Sequence, residues 1–244
     1  MAIKVAVVGA TGRMGKLAME LIEAAQDLTL HAALDSKSEL SEVLGADVVF
    51  DVTLPDVSPK VVEFAVANGL KVVVGTSGWS AAKLALVEKQ LAAAPATAAV
   101  VIIPNFSIGS MLATKFATEA ARFYDSMEII EAHHAGKIDS PSGTAVRTAE
   151  LMAEARAGMT QPLIPGVGQE ARGQVVAGIP IHSLRLAGVS AKQEILFGGE
   201  SEVLTLQHEV SSTKAYNAGI LLCLRHVVNI TGLTVGLQAV VEGK

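Results

Sequence analysis

Short apolar runs alternate with stretches of helical periodicity through the first hundred residues. The runs are rich in valine and continuous rather than alternating with polar residues, which is typical of strands buried on both faces of a parallel sheet. Strands are predicted over 3–9, 28–34, 48–52, 70–74 and 98–103, and helices over 15–25, 57–67 and 81–94. Strands separated by helices of this length form βαβ units, so the pattern predicts a Rossmann-type, doubly wound parallel sheet.

The pattern changes after residue 105. Helices are predicted over 109–122 and 144–156, and strands over 126–134, 179–186, 193–197 and 202–210, with a Gly- and Pro-rich loop at 158–173. The last three strands have no helices between them, and alternation along 203–208 indicates antiparallel or mixed pairing with one less buried face. A strongly apolar helix at 215–228, followed by a short tail, suits the flank of the first sheet. The sequence therefore predicts an α/β domain of residues 1–106 and 213–244 and an α+β domain of residues 107–212 with a mixed sheet.

Composition narrows the class of protein. Half of the 244 residues are hydrophobic and 18% are charged, which excludes a disordered chain, and a net charge of −5 with 4% aromatic residues argues against nucleic-acid binding. The single cysteine, Cys223, lies in an apolar run and is expected to be a core residue without a disulfide partner. The N-terminal apolar run is too short to span a membrane and lacks a cleavage pattern. We therefore expect a soluble cytoplasmic protein without nucleic-acid or membrane partners.

A glycine-rich turn links the first predicted strand to the first predicted helix. It reads Gly9, Ala10, Thr11, Gly12, Arg13, Met14, Gly15, and its spacing departs from the strict G-x-G-x-x-G pattern. Glycine at such a turn admits a close approach of the backbone to a pyrophosphate, which the helix N-terminus then stabilises. Asp35 ends the second strand, where a carboxylate can bind an adenosine ribose. The turn is alternatively an ordinary glycine turn, with Asp35 a solvated strand end.

Two further segments are expected at the ligand-binding edge of the same sheet. Gly75, Thr76 and Ser77 follow the fourth strand, and Pro104, Asn105 and Phe106 follow the fifth. The carboxyl ends of parallel strands form the ligand crevice in such folds. The cofactor is expected to be NADH or NADPH, because Asp35 favours a free ribose while Arg13 and Lys37 are available to a 2′-phosphate.

The most polar stretch of the chain is residues 129–145, IIEAHHAGKIDSPSGTA. His133 and Lys137 are able to exchange protons near neutral pH. His134 is expected to point to the opposite face of its strand from His133. Ser142 is placed to cap the following helix, which leaves the amides of Gly143 and Thr144 free to bind a carboxylate. The stretch therefore predicts a site for an anionic small molecule.

Less specific interpretations of this stretch are a metal site, a structural histidine pair or an exposed loop. No further Cys or His lies at ligand spacing, and Lys137 would repel a cation, so no metal site is predicted.

The order of these residues closely resembles the E-x-H-H-x-x-K-x-D-x-P-S-G-T-A motif of the 4-hydroxy-tetrahydrodipicolinate reductase family, from Glu131 to Ala145. The resemblance covers nearly the whole chain and includes the glycine turn, Gly75–Gly78, Asn105–Gly109, His182–Arg185 and Phe197–Glu200. It implies reduction of a cyclic dicarboxylate with NADH or NADPH in the diaminopimelate route of lysine biosynthesis. It also implies a homotetramer associated through the sheets of the C-terminal domains, so that 107–212 becomes the substrate-binding and oligomerisation domain.

The resemblance also assigns roles by position. His133 and Lys137 take the proton-donor roles, and His134, Gly143 and Thr144 bind substrate. The cofactor is lined by Gly9, Ala10, Thr11, Gly12, Arg13, Met14, Asp35, Gly75, Thr76, Ser77, Ile103, Pro104, Asn105 and Phe106. Asp35 replaces a commoner Glu, and Ser36-Lys37 replaces an acid followed by Arg, so the cofactor preference stays open. The alternatives are another two-domain dehydrogenase, acting on a sugar or a semialdehyde, and a non-catalytic protein that senses dinucleotides.

Overall fold

The structure is a computed structural model that describes residues 2–160, 162, 164, 166 and 168–243. Part of the predicted loop over 158–173 therefore lies outside the described residues. Within the described ranges, no helix combines the length and the apolar character needed to cross a membrane.

The chain divides into two compact units, residues 1–108 with 216–244 and residues 109–215. The strands of the first unit are β1 Ile3–Val8, β2 Leu28–Leu34, β3 Val48–Asp51, β4 Lys71–Val74, β5 Ala99–Ile102 and, near the C-terminus, β11 Gly232–Val235. Its helices are α1 Arg13–Ala24, α2 Ser58–Ala67, α3 Ala81–Ala93, α6 Asn217–Val227 and α7 Leu237–Glu242. The second unit contains α4 Ile108–Ala120, β6 Ser126–His134, α5 Gly143–Ala155, β7 Gln174–Val176, β8 Ile179–Leu186, β9 Ala191–Gly199 and β10 Glu202–Val210.

The first unit is built on a six-stranded parallel sheet in the order β11-β5-β4-β3-β1-β2. Strands β3 and β5 are buried along their whole length and β1 is buried from Val5 to Val8, which is why these segments are apolar and rich in valine. The strand order reverses between β1 and β3, and this switch point is where ligands bind in doubly wound folds. The predicted Rossmann-type sheet is confirmed.

The predicted C-terminal tail is wrong. Residues 232–235 instead form β11, which pairs in parallel with β5, and α7 follows with Leu237 and Val240 buried. Four strand residues that start with glycine are too few to show a hydrophobic pattern typical of a strand. This edge strand forms because β5 has unpaired backbone N–H and C=O groups along that side. The first part of the predicted helix 215–228 is a 3₁₀ turn, Thr213–Tyr216.

The second unit is built on a mixed five-stranded sheet in the order β10-β9-β6-β8-β7. The central strand β6 runs parallel to β8 and antiparallel to β9, so the predicted mixed sheet is confirmed. Side chains that alternate along β6, β8, β9 and β10 form two faces. One face packs on α4 and α5 around a core that includes Met127, Ile129, Ile195 and Phe197. Among the described residues no helix packs on the other face, which we call the uncovered face, and it carries exposed Leu184 and Leu186.

A buried arginine joins the ends of elements in the second unit. Arg156 follows α5 and is only 2% exposed. Its guanidinium donates to the backbone carbonyls of Ala121 and Tyr124, each at 2.6 Å, and to that of Thr160 at 2.6 Å. A buried arginine is tolerated where its N–H groups meet such acceptors, and here it fixes the turn between α4 and β6 to the end of α5.

Candidate active site

The glycine turn of the first unit lies at the switch point of the parallel sheet. Gly9 has a φ of 94°, and a Cβ there would lie 2.6 Å from the Val52 carbonyl oxygen beyond β3. A Cβ on Gly15 would lie 2.2 Å from the Gly9 carbonyl oxygen. The amides of Gly9 and Ala10 both donate to the Leu34 carbonyl at 3.0 Å, which holds the turn against β2. Glycine is therefore required at both positions by close backbone packing.

The N-terminus of α1 has the donors that an anionic group needs. Its N-cap is Gly12, so no side chain caps the helix, and the first turn contains no acidic residue. Thr11, Gly12 and Arg13 are exposed, Met14 is half-buried and Ala10 is buried. Free N–H groups at an uncapped helix start match the charge of a phosphate.

The structure brings the loops after β4 and β5 to the same sheet edge as the glycine turn. A Cβ on Gly75 would lie 2.7 Å from the Phe106 ring and 3.0 Å from Val52 Cγ1. Gly75 thus packs against both neighbouring loops, and Phe106 itself is buried against Phe50.

Other residues expected near the cofactor differ in their exposure. Ser77 and Pro104 are exposed, Asn105 is half-buried, and the Ile103 side chain belongs to the core. Thr76 is buried, and within the described chain its hydroxyl has no hydrogen-bond partner. A buried hydroxyl without a protein partner is available to hydrogen-bond a polar group of a ligand. Together with the uncapped α1 start, it makes this edge suitable for a dinucleotide.

Asp35 stands exposed at the carboxyl end of β2. Its Oδ1 accepts the Lys37 amide at 2.8 Å, and its own amide donates to Ser38 Oγ at 3.1 Å. The turn therefore fixes the carboxylate at the strand end, where the ribose of a dinucleotide is recognised in related folds.

A buried carboxylate that the sequence did not single out lies at the end of β3. Asp51 is fully buried, accepts the Thr53 hydroxyl at 2.6 Å and also accepts the Ser58 hydroxyl at the start of α2. Burial raises the pKa of Asp51, although the hydrogen bonds from Ser58 and Thr53 oppose that rise. Its contacts brace the loop whose Val52 carbonyl abuts Gly9. The buried apolar strand around it gave no sign of this role.

In the second unit, the two histidines lie at the end of β6 and face opposite sides of the sheet. His133 pairs with Arg185 of β8 on the face covered by α4 and α5, whereas His134 pairs with Leu186 on the uncovered face. His133 is partly buried and His134 is exposed. This agrees with the opposite orientations predicted from strand geometry.

Glu131 connects the parts of this site. It is fully buried, and its Oε2 lies 2.6 Å from His133 Nδ1. Both of its oxygens accept from Arg185, Oε2 from Nη1 at 2.9 Å and Oε1 from Nη2 at 3.0 Å, and Oε1 also accepts the Ser142 amide at 3.1 Å. The sequence contained Glu131 and Arg185 but did not assign them a role. The two-residue spacing of Glu131 and His133, which places both on one strand face, was the available signal.

Lys137 lies in the loop after β6 and is mostly buried. Its ammonium contacts both oxygens of Asp139, at 2.7 and 2.8 Å. Arg185 holds this loop by donating to the carbonyls of Lys137 at 3.3 Å and Asp139 at 2.6 Å. The loop carrying the lysine is thus fixed to the same arginine that contacts Glu131.

The start of α5 has the predicted cap. Ser142 Oγ accepts the Ala145 amide at 3.2 Å, and the Val146 amide donates to the Ser142 carbonyl at 3.0 Å. The helix begins at Gly143, one residue earlier than predicted, with the amides of Gly143 and Thr144 in its first turn. A Cβ on Gly143 would meet nothing within 4 Å, so space is open beside these amides.

The electrostatics of His133 follow from these neighbours. Burial lowers its pKa, the Glu131 carboxylate opposes this, and the positive charges of Lys137 and Arg185 lower the pKa further. For Glu131, burial alone would raise the pKa, but hydrogen bonds from Arg185, Ser183 and His133 outweigh it and the pKa is lowered. The site thus holds an ionised buried carboxylate beside a histidine that gives up its proton readily.

Two family profiles match the chain. "Dihydrodipicolinate reductase, N-terminus" matches residues 3–106, and "Dihydrodipicolinate reductase, C-terminus" matches residues 109–241. Two curated relatives are named 4-hydroxy-tetrahydrodipicolinate reductase. The protein of Clavibacter michiganensis subsp. michiganensis is 57% identical, over 99% of this chain and 87% of its own. The protein of Mycobacterium ulcerans is 45% identical, over 97% of this chain and 98% of its own.

A solved structure is similar throughout. It is a dipicolinate-bound dihydrodipicolinate reductase from Paenisporosarcina sp. TG-14, with a TM-score of 0.83 and 33% identity over 98% of this chain and 99% of that chain. Fold, family profiles and sequence relatives agree, and the chain therefore belongs to the dihydrodipicolinate reductase family.

Proposed function

We propose that the protein reduces 4-hydroxy-tetrahydrodipicolinate to tetrahydrodipicolinate with a nicotinamide cofactor, in the diaminopimelate route of lysine biosynthesis. Membership of the family and the names of the relatives support this reaction. The observation that carries the proposal is the group of polar residues around Glu131. The proton-exchanging His133 and the Ser142 amide at the start of α5 both contact that carboxylate, and its partner Arg185 holds the backbone of the loop that carries Lys137.

The residues of the second unit have complementary roles in this reaction. Loss of the substrate's 4-hydroxyl as water leaves a conjugated cyclic imine, and reduction of that imine consumes one hydride and one proton. The bound nicotinamide would supply the hydride. His133 and Lys137 supply or relay the proton to the ring carbon next to the reduced position. The Lys137 ammonium also stabilises negative charge on the substrate. His134 and the amides of Gly143 and Thr144 bind substrate carboxylates, since a helix start with free N–H groups favours an anion.

The cofactor is proposed to bind the glycine turn and the neighbouring loops of the first unit. The uncapped start of α1 would hold the pyrophosphate, and Asp35 would accept hydrogen bonds from the adenosine ribose. Arg13 and Lys37 are exposed close to this part of the sequence and would stabilise a 2′-phosphate. We therefore propose that both NADH and NADPH are used, with kcat/KM values within about tenfold, since one added phosphate contact is worth about a kcal/mol.

The uncovered sheet face of the second unit is the proposed assembly surface of a cytoplasmic homotetramer. Besides Leu184 and Leu186 it carries Val203, which is 69% exposed. Exposed apolar side chains on a sheet face are consistent with a subunit interface. The resemblance to the family implies a tetramer whose subunits associate through these sheets.

The reaction is tested by following cofactor oxidation with substrate made in place by the preceding synthase. We expect turnover with both cofactors. His133→Gln and Lys137→Ala should each lower kcat by about two or more orders of magnitude, as is usual for a lost general acid. Cofactor Kd, measured by fluorescence, should change little. Wild-type turnover in both variants would remove these residues from the mechanism, and a hundredfold cofactor preference would refute dual use.

The sugar or semialdehyde dehydrogenase and the dinucleotide sensor are less well supported. A semialdehyde dehydrogenase needs a thiolate nucleophile, and burial raises the pKa of Cys223, the single cysteine, to about 12. A sensor has no need of the Glu131, His133 and Lys137 arrangement. Substrate-dependent cofactor oxidation separates the reductase from both alternatives.

A further inference from the structure

Four groups from three elements of the second unit hold the Glu131 carboxylate, and one of them is the Ser183 side chain of β8. Arg185 of β8 contacts both oxygens, Ser142 at the start of α5 donates its amide to Oε1, and His133 of β6 contacts Oε2 at 2.6 Å. Glu131 is fully buried and has no freedom to turn away. Glu131 therefore has a fixed position, and whatever it contacts is fixed with it.

We propose that Glu131, clamped by Arg185, is a positioning residue that holds the His133 ring by Nδ1–H and so presents Nε2 to the substrate. This inference rests on the proposed function, because it assigns the means by which His133 acts. A carboxylate that accepts from one ring nitrogen fixes both the tautomer and the orientation of the ring. Among the described residues, no other side chain hydrogen-bonds the ring, so Nε2 is left for the reaction.

The ionised state of Glu131 is what makes this arrangement work. A neutral carboxyl would be able to donate its proton to Nδ1 and reverse the tautomer. The hydrogen bonds from Arg185, Ser183 and His133 overcome the effect of burial and lower the pKa of Glu131. Arg185 donates to both carboxylate oxygens, and such a bidentate contact stabilises the ionised form of Glu131. Arg185 thus secures the charge as well as the position of the carboxylate.

The same carboxylate also ties the histidine to the substrate-binding end of α5. Oε2 contacts His133, while Oε1 accepts the amide of Ser142, which precedes the amides of Gly143 and Thr144. One rigid group therefore sets the distance between the proposed proton donor and the proposed carboxylate site. Small errors in such distances are costly for catalysis.

A second trio, whose glutamate and histidine lie in the same sheet, provides a matched control. Glu128, three residues earlier on β6, contacts His182 Nε2 at 2.6 Å and also accepts from Arg172. It combines the same residue types as Glu131, His133 and Arg185 but lies on the uncovered face. Glu128→Gln removes an equivalent charge without touching His133.

The first measurement uses the unaltered protein. We expect ¹⁵N spectra of labelled wild type to show neutral His133 as the Nδ1–H tautomer, with its signals identified by their loss in His133→Gln. An Nε2–H tautomer would overturn the inference. This result stands even if a Glu131 variant does not fold.

The second measurement compares Glu131→Gln with Glu128→Gln, after circular dichroism has confirmed their folding. The charged groups that face His133 are Glu131, Lys137 and Arg185. Removing the one negative charge leaves two positive ones, so the NMR pKa of His133 should fall by about one unit or more. The decline of kcat/KM with rising pH should then begin at a correspondingly lower pH, and kcat should fall about tenfold or more. Glu128→Gln should keep the wild-type pKa and pH profile.

The outcomes separate this inference from the proposed function. An unchanged His133 pKa and pH profile in folded Glu131→Gln, or an equal shift in Glu128→Gln, would overturn the positioning role. Wild-type turnover in His133→Gln would refute the catalytic assignment of the histidine and leave the tautomer result unaffected.

Discussion

The packing of Gly15 against the glycine turn predicts a large effect from a single methyl group. In Gly15→Ala the new Cβ would lie 2.2 Å from the Gly9 carbonyl oxygen and 2.7 Å from Ala10 Cα, whereas ordinary contacts begin at 3.4 Å. The turn would have to move by about 1 Å. Its amides at Gly9 and Ala10 are both bonded to the Leu34 carbonyl, and Gly9 also abuts the Val52 carbonyl, so movement disturbs these contacts.

Overpacking and the loss of these hydrogen bonds should together reduce the free energy of unfolding by about 2–3 kcal/mol. Because the same turn begins the proposed phosphate site, NADH affinity should fall by about tenfold or more. Urea denaturation and NADH fluorescence titration measure the two effects. Gly143→Ala is the matched stability control, because its Cβ would meet nothing within 4 Å. Its stability should be unchanged or slightly raised, since alanine is the better helix residue. A Gly15→Ala protein with wild-type stability and NADH affinity would refute the packing argument.

Three further predictions concern the second unit. Arg156→Met should lower the free energy of unfolding by about 3 kcal/mol, because three backbone carbonyls lose a charged donor, and an unchanged urea midpoint would contradict this. Asp139→Asn should lower the substrate KM several-fold, because the Lys137 ammonium is freed for a substrate carboxylate. The free energy of unfolding of this variant should change by less than about 1 kcal/mol, since the Asp139 side chain is 62% exposed. A raised KM would show that Asp139 instead assists binding. Leu184→Glu should reduce the molar mass measured by light scattering, whereas Leu86→Glu on the exposed face of α3 should not; an intact tetramer in the first variant would exclude this sheet face as the interface.

The sequence pattern was sufficient to predict the elements whose residue types follow directly from their burial or from local backbone geometry. Valine runs predicted four of the parallel strands, β1, β3, β4 and β5, because strands covered on both faces have few polar positions. The cap at Ser142 and the opposite orientations of His133 and His134 follow from helix and strand geometry alone. The family was recognisable because residues 131–145 keep one unusual order of polar residues, which packing by itself would not require.

Contacts between residues distant in sequence were decided only by the tertiary structure. β11 forms because β5 leaves an edge to pair with. Arg156 is tolerated inside because three carbonyls from two separate turns accept its hydrogen bonds. The partnership of Glu131 with Arg185, 54 residues away, depends on β6 and β8 lying side by side. The sequence determined which chemical groups are present, and the pairing of strands determined that one buried carboxylate would hold His133, Arg185 and the start of α5 together.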